Sequence, residues 1–493
     1  MSNHLLFGLL NLGIFVPLLA AFVVRKMAEV EQARRWTVYC LAFSFAALLC
    51  NSLSVSNAPN AQFSEPFSQW FLVDALNAIP LSLFAALCLG VAALVPKHNL
   101  TSQWLAGVLW LSATTCAAYA ANNLLIFVLG WAGSLAPFLL TRMFAPPTNA
   151  VSETGAMVPG FSKIVLALSL ASLCVGVGLL VIAVPGTSWE QALGLTLART
   201  GNSTLLFAAF AFLMGAVVLR KGLFPAHSWV VTAFERGPLL PLTLLLNGHL
   251  GAFLVARIVL PLLPDEAHKA WPIISTLSLL TAAYVALVGL VERKPRRLFA
   301  LVAISQSAFL LAGLESYSAI GIAGALVLWQ VVAVSTVMLS SVYSGLEARL
   351  GVALEKDGFM GLAIGAPRLA VFFAAGGLAL VGLPLTLGFP AEDLLLQGTL
   401  ATNPYLGAVL PVVTAMNAFS VMRLFARLFL GKPVSAANHI ADAVPRERWV
   451  LIAALLFLLF GGLFPSQPMR LPAIAAEKLM QSVSGSQHTA NHR

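Results

Sequence analysis

Apolar runs of about 20 residues follow one another along almost the whole chain, separated by short polar connections. A helix needs about 20 apolar residues to cross the hydrocarbon core of a bilayer. By this criterion the pattern predicts about fourteen spanning helices, or about thirteen if the fourth and fifth runs form one helix. The runs cover residues 5–24, 36–56, 72–95, 104–121, 122–141, 161–184, 204–224, 239–263, 272–292, 296–315, 318–343, 368–389, 405–430 and 449–464. The chain is therefore predicted to be an all-α polytopic membrane protein.

Glycine and proline interrupt two of these runs at related places. Gly222 and Pro225 break the seventh run, and Gly382, Pro384 and Gly388 break the twelfth. Many transporters contain two repeats of opposite orientation whose broken helices occupy matching positions. The spacing predicts two inverted five-helix repeats with broken seventh and twelfth helices. The alternative explanation is that glycine and proline are frequent in ordinary membrane helices.

The predicted organisation is a single transmembrane domain over residues 1–493. It comprises three N-terminal helices at 1–103, repeats at 104–263 and 272–430, and a last helix with a frayed tail at 431–493. The connections are too short to fold as soluble domains. The first run, 5–24, has no basic segment before it, which favours a retained span over a cleaved signal.

Composition supports this interpretation, since 59% of the 493 residues are hydrophobic and 10% are charged. A soluble chain averages about 25% charged residues. The net charge of +9 comes from basic residues that are scattered through alternate connections, which excludes a nucleic-acid-binding face. The outward connections and the tail hold only Arg199, Lys269, Arg470, Lys478 and Arg493. By the positive-inside rule, both termini are expected on the outer side of a bacterial cytoplasmic (inner) membrane.

No constellation of residues typical of an enzyme occurs in the chain. The five cysteines lie in apolar runs without CxxC or histidine spacing, so neither a metal site nor a cofactor is expected. A nucleophile paired with a base and a phosphate-binding loop are also missing from the sequence. No catalytic residue is therefore assigned, and a transporter subunit is favoured over an enzyme.

Candidate functional residues are the polar and ionisable side chains in or beside the spans, because such groups are costly in hydrocarbon and typically line ion paths. The candidate ion path comprises Arg220, Lys221, His227, Glu235, His249, Arg257, Gln306, Gln330, Glu392 and Asp393. Alternatives exist for several of them. Arg220 and Lys221 can snorkel to the interface, the glutamines can join helices by hydrogen bonds, and the two acids can simply face water. Asp74, at the start of the third run, fits an interfacial carboxylate as well as a functional one.

Five motifs, in order, resemble a known family. They are VDAL at 73–76, NNLLIFVLGW at 122–131, FPAHSW at 224–229, RRLFALVAISQ at 296–306 and GLPLTLGFPAED at 382–393. The chain resembles the proton-translocating, antiporter-like subunits of respiratory complex I, membrane hydrogenases and cation/proton antiporters. The resemblance implies fourteen helices with two inverted repeats. It also implies an ion path from a carboxylate on the fifth helix to a lysine on the seventh, and on to titratable groups of the eighth, eleventh and twelfth.

The chain departs from that family pattern at most of these points. Ala132 replaces the carboxylate of the fifth helix, and Arg220 takes the place of the lysine, with Lys221 beside it. His249 is displaced along the eighth helix. Gln330 and Val334 stand at the ionisable positions of the eleventh, and Glu392 reverses the sign on the twelfth. The usual relay of the family is therefore incomplete.

Two stretches, HLGAFLVAR at 249–257 and LSSVYSGLE at 339–347, are most similar to the DabB branch of this family. That resemblance implies an ion-gradient-coupled pump for inorganic carbon (bicarbonate or CO2) that passes protons or another cation. Its partner would be a peripheral, zinc-containing, carbonic-anhydrase-like DabA subunit on the cytoplasmic face. One alternative is a proton-translocating subunit of a complex I, hydrogenase or cation/proton antiporter assembly. The other is a non-conducting paralogue that anchors a partner.

Overall fold

A computed structural model describes residues 3–58, 70–97, 100–140, 143–144, 158–184, 202–351, 354, 358–433 and 440–490. Within these ranges the regular structure is helical, apart from one isolated antiparallel bridge between Phe71 and Ala121. The all-α prediction is therefore confirmed. Arg199 and Arg493, which belong to the predicted charge asymmetry, lie outside the described residues.

The first six spans are single helices in chain order. They are α1 (Asn3–Arg25), α2 (Val30–Asn57), α3 (Ala78–Leu94), α4 (Ser102–Ala120), α5 (Leu124–Leu139) and α6 (Gly160–Ala183). The third starts later than its apolar run, because Asp74 Oδ1 accepts hydrogen bonds from the backbone of Leu76 and Asn77, at 3.0 and 3.1 Å. This turn keeps the segment before α3 extended, alongside the α4–α5 connection.

The seventh span is broken, as predicted. It consists of α7 (Ser203–Lys221) and α8 (Ser228–Arg236). Gly222 ends α7 in the left-handed conformation, with φ of 68°. A Cβ atom at this position would lie 2.4 Å from Cγ2 of Val230. The break therefore depends on glycine for two reasons, its backbone conformation and the close approach of α8.

The eighth span is also irregular, which the sequence pattern did not predict. It runs through α9 (Leu239–Asn247), α10 (Leu250–Leu254), a π-helical turn at Val255–Val259, and α11 (Leu260–Leu262). His249 joins α9 to α10 with a positive φ of 40°. Left-handed backbone at a non-glycine residue and π-helical turns both cluster at functional sites.

The remaining spans form the second half of the bundle. They are α12 (Pro264–Val291), α13 (Pro295–Leu314), α14 (Ala319–Leu350), the pair α15 (Pro367–Leu380) and α16 (Gly388–Thr402), and, after the short α17 (Pro404–Gly407), α18 (Val409–Phe429) and α19 (Pro445–Leu463). The twelfth span, α15 with α16, is broken as predicted, at Gly382 and Leu385, which have φ values of 71° and 76°. The two breaks thus lie five spans apart, and the described helices group into about fourteen spans.

The structure differs from the prediction at the C-terminus. The residues after Pro465 were expected to fray, but they form α20 (Ser466–Ala490), and its first part lies at 74° to α19. Leu471, Ala475 and Leu479 are buried, at spacings that place them on one face of this helix. The face packs against α14, so α20 is held by apolar contact that the many polar residues of the tail concealed.

Burial separates a central group of spans from a peripheral one. The most apolar windows of the eighth and eleventh spans are 100% buried inside the protein, and that of the tenth is 94% buried. The corresponding windows of α1, α2, α6, α7, α12 and α18 are 33–44% buried. Polar groups on the eighth, tenth and eleventh spans are therefore shielded from lipid by the other helices.

Because successive spans run in opposite directions, the connections alternate between two ends of the bundle. We call the end that contains Lys26, Lys97, Arg236, Lys294 and Lys432 the basic end, and the opposite one the far end. At the basic end Arg296 forms a two-pronged ion pair with Glu347, at 2.7 and 2.8 Å, and donates to the carbonyl oxygen of Gly237 at 2.9 Å. These contacts tie α8 to α13 and α14.

The requirement for glycine at the seventh-span break is testable. Gly222→Ala is expected to destabilise the protein by about 1–2 kcal/mol from the left-handed backbone alone, with an added cost from the clash with Val230. Thermal unfolding monitored with a thiol-reactive dye would measure this loss of stability, since Cys88 and Cys116 are buried and react only on unfolding. Gly178→Ala is the matched control, because nothing lies within 4 Å of its added Cβ. Equal melting midpoints for the two variants would contradict the expectation.

Candidate functional site

Arg220 and Lys221, the last two residues of α7, lie inside the bundle. Their exposed fractions are 4% and 1%. The chain continues past them through the break into α8, whose Arg236 reaches the basic end, so both cations stand well inside the seventh span. Snorkelling to the interface, the alternative considered from the sequence, is therefore wrong for these two residues.

Lys221 contacts His249 directly, Nζ to Nδ1, although 28 residues separate them in sequence. His249 is 1% exposed. The left-handed backbone at His249 turns its ring toward α7, and Gly251 makes room for the lysine, since a Cβ there would lie 2.9 Å from Cγ of Lys221. The breaks of the seventh and eighth spans thus meet at one pair of side chains.

This contact constrains the protonation of the pair. A lysine ammonium can donate only to an unprotonated Nδ1, which places the imidazole hydrogen on Nε2. Nε2 itself is buried and has no hydrogen-bond partner among the described residues. Two like charges in direct contact in a buried site are strongly disfavoured. The geometry therefore suits a pair that carries one positive charge and shares one proton.

Arg220, next to Lys221 at the end of α7, contacts a different helix. Its guanidinium carbon lies 4.3 Å from the ring centre of Trp131, and Nη2 donates to Oγ of Ser134 at 2.8 Å. Both contacts come from α5. Ala132, where the family resemblance implies a carboxylate, is on this helix too. A cation–π contact and a hydroxyl therefore stand where the resemblance implies an acid.

Tyr119 supports the irregular backbone at His249. Its hydroxyl donates to the carbonyl oxygen of Gly248, which α9 leaves without a regular helical partner. The ring packs edge-on against Phe253, with centroids 5.3 Å apart, and lies 5.8 Å from Trp329. Trp329 in turn meets the His249 ring edge-on at 5.5 Å. An aromatic cluster therefore fixes the position of the imidazole.

A row of hydrogen-bonded side chains leads from His249 toward the basic end. Asn247 Nδ2 donates to Oγ1 of Thr336 at 2.6 Å. Thr243 lies one helical turn closer to the basic end, and its Oγ1 is 3.2 Å from Oγ of Ser340. These four residues line a cavity between the eighth and eleventh spans with room for about one water molecule. The row and the cavity place polar groups on the basic-end side of His249, within otherwise apolar packing.

A second ion pair lies toward the far end. Arg257, in the π-helical turn of the eighth span, pairs through Nη1 with Oδ2 of Asp74. The side chains are 10% and 29% exposed. Asp74 is therefore not an isolated carboxylate, and its ion pair with the eighth span is compatible with both an interfacial and a functional role.

The other predicted ion-path residues lie apart from Lys221 and His249. His227 is half-buried, stacked on Phe224 and edge-on to Tyr284, two side chains that are 48% and 44% exposed at the outside of the bundle. Glu235 is at the basic end, 2.6 Å from Nζ of Lys294 and 3.4 Å from Arg297. Neither position joins the central cluster.

In the second half of the bundle, the predicted ion-path residues do not form one cluster. Gln306 is fully buried, and neither polar atom of its amide has a partner among the described residues. Gln330 is 3% exposed, and Nε2 lies 3.4 Å from the carbonyl oxygen of Pro468 in α20. Glu392 is half-buried beside Gly382, whereas Asp393 is exposed and accepts from Gln397 at 2.8 Å. Their place in an ion path stays a prediction.

Sequence reasoning missed several members of the site. Tyr119, Thr243, Trp329, Thr336 and Ser340 carry no charge and occur in apolar runs, so only their packing shows their role. It also missed Glu315, at the C-terminal end of α13, which is 1% exposed with both carboxylate oxygens lacking a hydrogen bond of normal geometry. The sequence feature that could have indicated a buried Glu315 is its position directly after a long apolar run.

Fold and site together define a polytopic, antiporter-like membrane subunit built from two halves with broken helices. The chain belongs to the family described as NADH:quinone oxidoreductase/Mrp antiporter, TM, whose model matches residues 121–417. This confirms the resemblance found in the motifs.

Curated relatives match almost the whole chain. An NAD(P)H-quinone oxidoreductase chain 4 of Synechococcus sp. (strain JA-3-3Ab) is 26% identical over 499 residues, covering 94% of this chain and 91% of the relative. A chain 4 of Picosynechococcus sp. (strain ATCC 27264 / PCC 7002 / PR-6) is 27% identical over 492 residues, with coverage of 92% and 89%. The likeness therefore extends beyond the region matched by the family model.

Two solved structures show the same fold. A chain of respiratory complex I from Thermus thermophilus with bound NADH aligns with a TM-score of 0.81 at 22% identity, covering 96% of this chain and 99% of that one. A chain of the Mrp complex from Dietzia sp. DQ12-45-1b gives 0.79 at 18% identity, with coverage of 96% and 98%. These similarities establish the architecture.

The hydrogen bond from Tyr119 to Gly248 is expected to stabilise the His249 break. Tyr119→Phe removes the hydroxyl and leaves a buried carbonyl oxygen unpaired, at a cost of about 1–3 kcal/mol. The melting midpoint in the thiol-reactive dye assay should fall accordingly. Tyr405→Phe is the control, because Tyr405 is 89% exposed. If both variants melt like the wild type, Tyr119 does not support the break.

Proposed function

We propose that this chain is a proton-translocating, antiporter-like subunit of a multi-subunit bacterial membrane assembly. The observation that carries the proposal is the buried contact between Lys221 and His249, where the breaks of two spans meet. Family membership supports it, as do the names of the relatives, which are chains of quinone oxidoreductases and of complex I and Mrp assemblies. Further subunits of such an assembly are the proposed partners.

In the proposed mechanism, Lys221 and His249 exchange one proton. The proton moves from the lysine ammonium to Nδ1 of the imidazole, and the opposite nitrogen, Nε2, then releases its hydrogen to a water molecule, which leaves a neutral lysine and the other tautomer of neutral imidazole. Imidazole is suited to this step because its ordinary pKa is near neutrality. The row of Asn247, Thr336, Thr243 and Ser340, with a water in the cavity, then connects the pair to the basic end. The apolar surroundings keep other ions out.

Arg220 has a different part in this mechanism. Guanidinium stays protonated under physiological conditions, so Arg220 cannot release a proton. It acts as a fixed positive charge beside Lys221, and the repulsion lowers the energy needed for Lys221 to pass its proton to His249. A change in the negative charge beside Arg220 would therefore change whether the shared proton lies on Lys221 or on His249.

Several positions of the family's usual relay cannot titrate here, namely Ala132, Gln330 and Val334. The proposed path therefore depends on the eighth span more than the resemblance implies. The same three residues favour the second candidate function, a non-conducting paralogue that anchors a partner. Measured proton flux distinguishes the two.

The inorganic-carbon pump is a finer prediction that rests on the two DabB-like stretches. The relatives and solved neighbours favour the complex I and Mrp type of subunit over it. A peripheral, zinc-containing DabA-like partner at the cytoplasmic face is thus a prediction to be tested by isolating the chain in mild detergent. Recovery of a zinc-containing peripheral protein would support the pump, whereas polytopic subunits would support the assembly proposed above.

For the orientation in the membrane, we propose that the basic end faces the cytoplasm and that both termini lie outside. Charged connections such as those with Arg25, Lys97, Arg293 and Lys432 lie at the basic end. The positive-inside rule supports this assignment.

Flux through the proposed pair is testable in proteoliposomes that contain the chain with its co-purifying subunits and a pH-sensitive dye. Lys221→Ala and His249→Ala are each expected to reduce gradient-driven proton flux by roughly 100-fold, because each removes one member of the shared-proton pair. Lys269→Ala is the control, since that lysine is exposed on α12. Wild-type flux in both pair variants, or no flux in the wild type, would reject conduction through this pair and favour the anchor.

A further inference from the structure

Arg220 is a buried cation without an anion. Among the described residues it has no ion pair, and the ionisable groups close enough to interact with it are Tyr119 and Lys221. Tyr119 is a donor to Gly248, and Lys221 is itself a base. Arg257 of the eighth span, by contrast, has the carboxylate of Asp74. The break of the seventh span therefore carries net positive charge inside apolar packing.

This charge cannot be removed by deprotonation. A buried lysine or carboxyl group can become neutral, but a guanidinium group retains its proton. Burying an uncompensated ion costs several kcal/mol even after relaxation. The Trp131 ring and the Ser134 hydroxyl offset part of that cost, yet neither supplies a negative charge. A bound anion would supply the negative charge that these contacts do not.

Two unused hydrogen-bond donors indicate where such an anion would bind. Arg220 Nη1 and Trp131 Nε1 are both buried, and neither has a partner in the described part of the chain. The two side chains are stacked, so their donors belong to one small region. Buried donors without partners are rare in folded proteins, and an unseen water or ion commonly accounts for them.

We propose that Arg220 and Trp131 form a binding site for a small monovalent anion of the size of chloride or bicarbonate. The anion would accept hydrogen bonds from Nη1 of the arginine and Nε1 of the indole, and would balance the charge of Arg220. Binding is a property of these residues whether or not the chain conducts protons.

Equilibrium dialysis of the detergent-purified chain, with its co-purifying subunits, tests the site. The probes are radiolabelled chloride, and radiolabelled bicarbonate at mildly alkaline pH, each competed by the other anion. Saturable binding of either anion to the wild type is expected. Competition shows which of the two binds more tightly. If neither binds, the proposal is overturned.

Variants assign the binding to these residues. Arg220→Gln is expected to weaken anion binding by about 10- to 100-fold, because it removes the positive charge of the guanidinium and one charged hydrogen bond to the anion. Arg257→Gln is the matched control, because that buried arginine already has Asp74. Retention of wild-type affinity in Arg220→Gln would reject the site.

A second variant keeps the arginine and changes its surroundings. Ser134→Asp places a carboxylate beside Nη2 of Arg220, so the internal acid should displace the anion and weaken binding by a similar factor. Ser134→Asn adds the same bulk without charge and is expected to keep binding. The thiol-reactive melting assay checks that each variant is folded. Equal anion affinity in the Asp and Asn variants would show that charge balance does not hold the anion.

Discussion

The structure depends on one constraint: two adjacent cations, Arg220 and Lys221, are buried where a membrane helix stops. Placing a charge in hydrocarbon costs several kcal/mol, so its neighbours must supply compensation. Lys221 obtains part of it from the His249 imidazole, and Arg220 obtains part of it from an aromatic face and a hydroxyl. The irregular backbone nearby is explained by the same need. A regular eighth helix would direct residue 249 elsewhere, away from Lys221.

The residues that pack around these two cations and His249 are mostly aromatic residues and glycines. Tyr119, Phe253 and Trp329 enclose the imidazole, while Gly222 and Gly251 allow α8 and the lysine stem to approach. Large rigid rings exclude water, and glycine permits close contact without strain. The polar side chains of Asn247 and Thr243 lie on the basic-end side of His249, beside the cavity.

Much of this fold could be predicted from the sequence, and the site only in part. The length of apolar runs gave the spans, and Gly222, Pro225 and Gly382 indicated the breaks, because both signals are local. The pairing of Lys221 with His249, and of Asp74 with Arg257, joins residues 28 and 183 positions apart, which depends on how helices pack. Uncharged members such as Tyr119 have no local signal. The C-terminal helix α20 was missed because its apolar face is narrow and its composition polar.

The two halves of the bundle are alike in their breaks and unlike in their charges. In the first half the break carries two buried cations, whereas in the second Glu392 is only half-buried and Gln330 and Val334 cannot titrate. The buried cations are therefore concentrated at the seventh and eighth spans. Arg296 joins the two halves at the basic end by holding Glu347 of α14 and the carbonyl oxygen of Gly237 at the end of α8. Arg296 therefore links the end of α8 to the eleventh span by direct contacts, although that span has no titratable group of its own at the positions of the family relay.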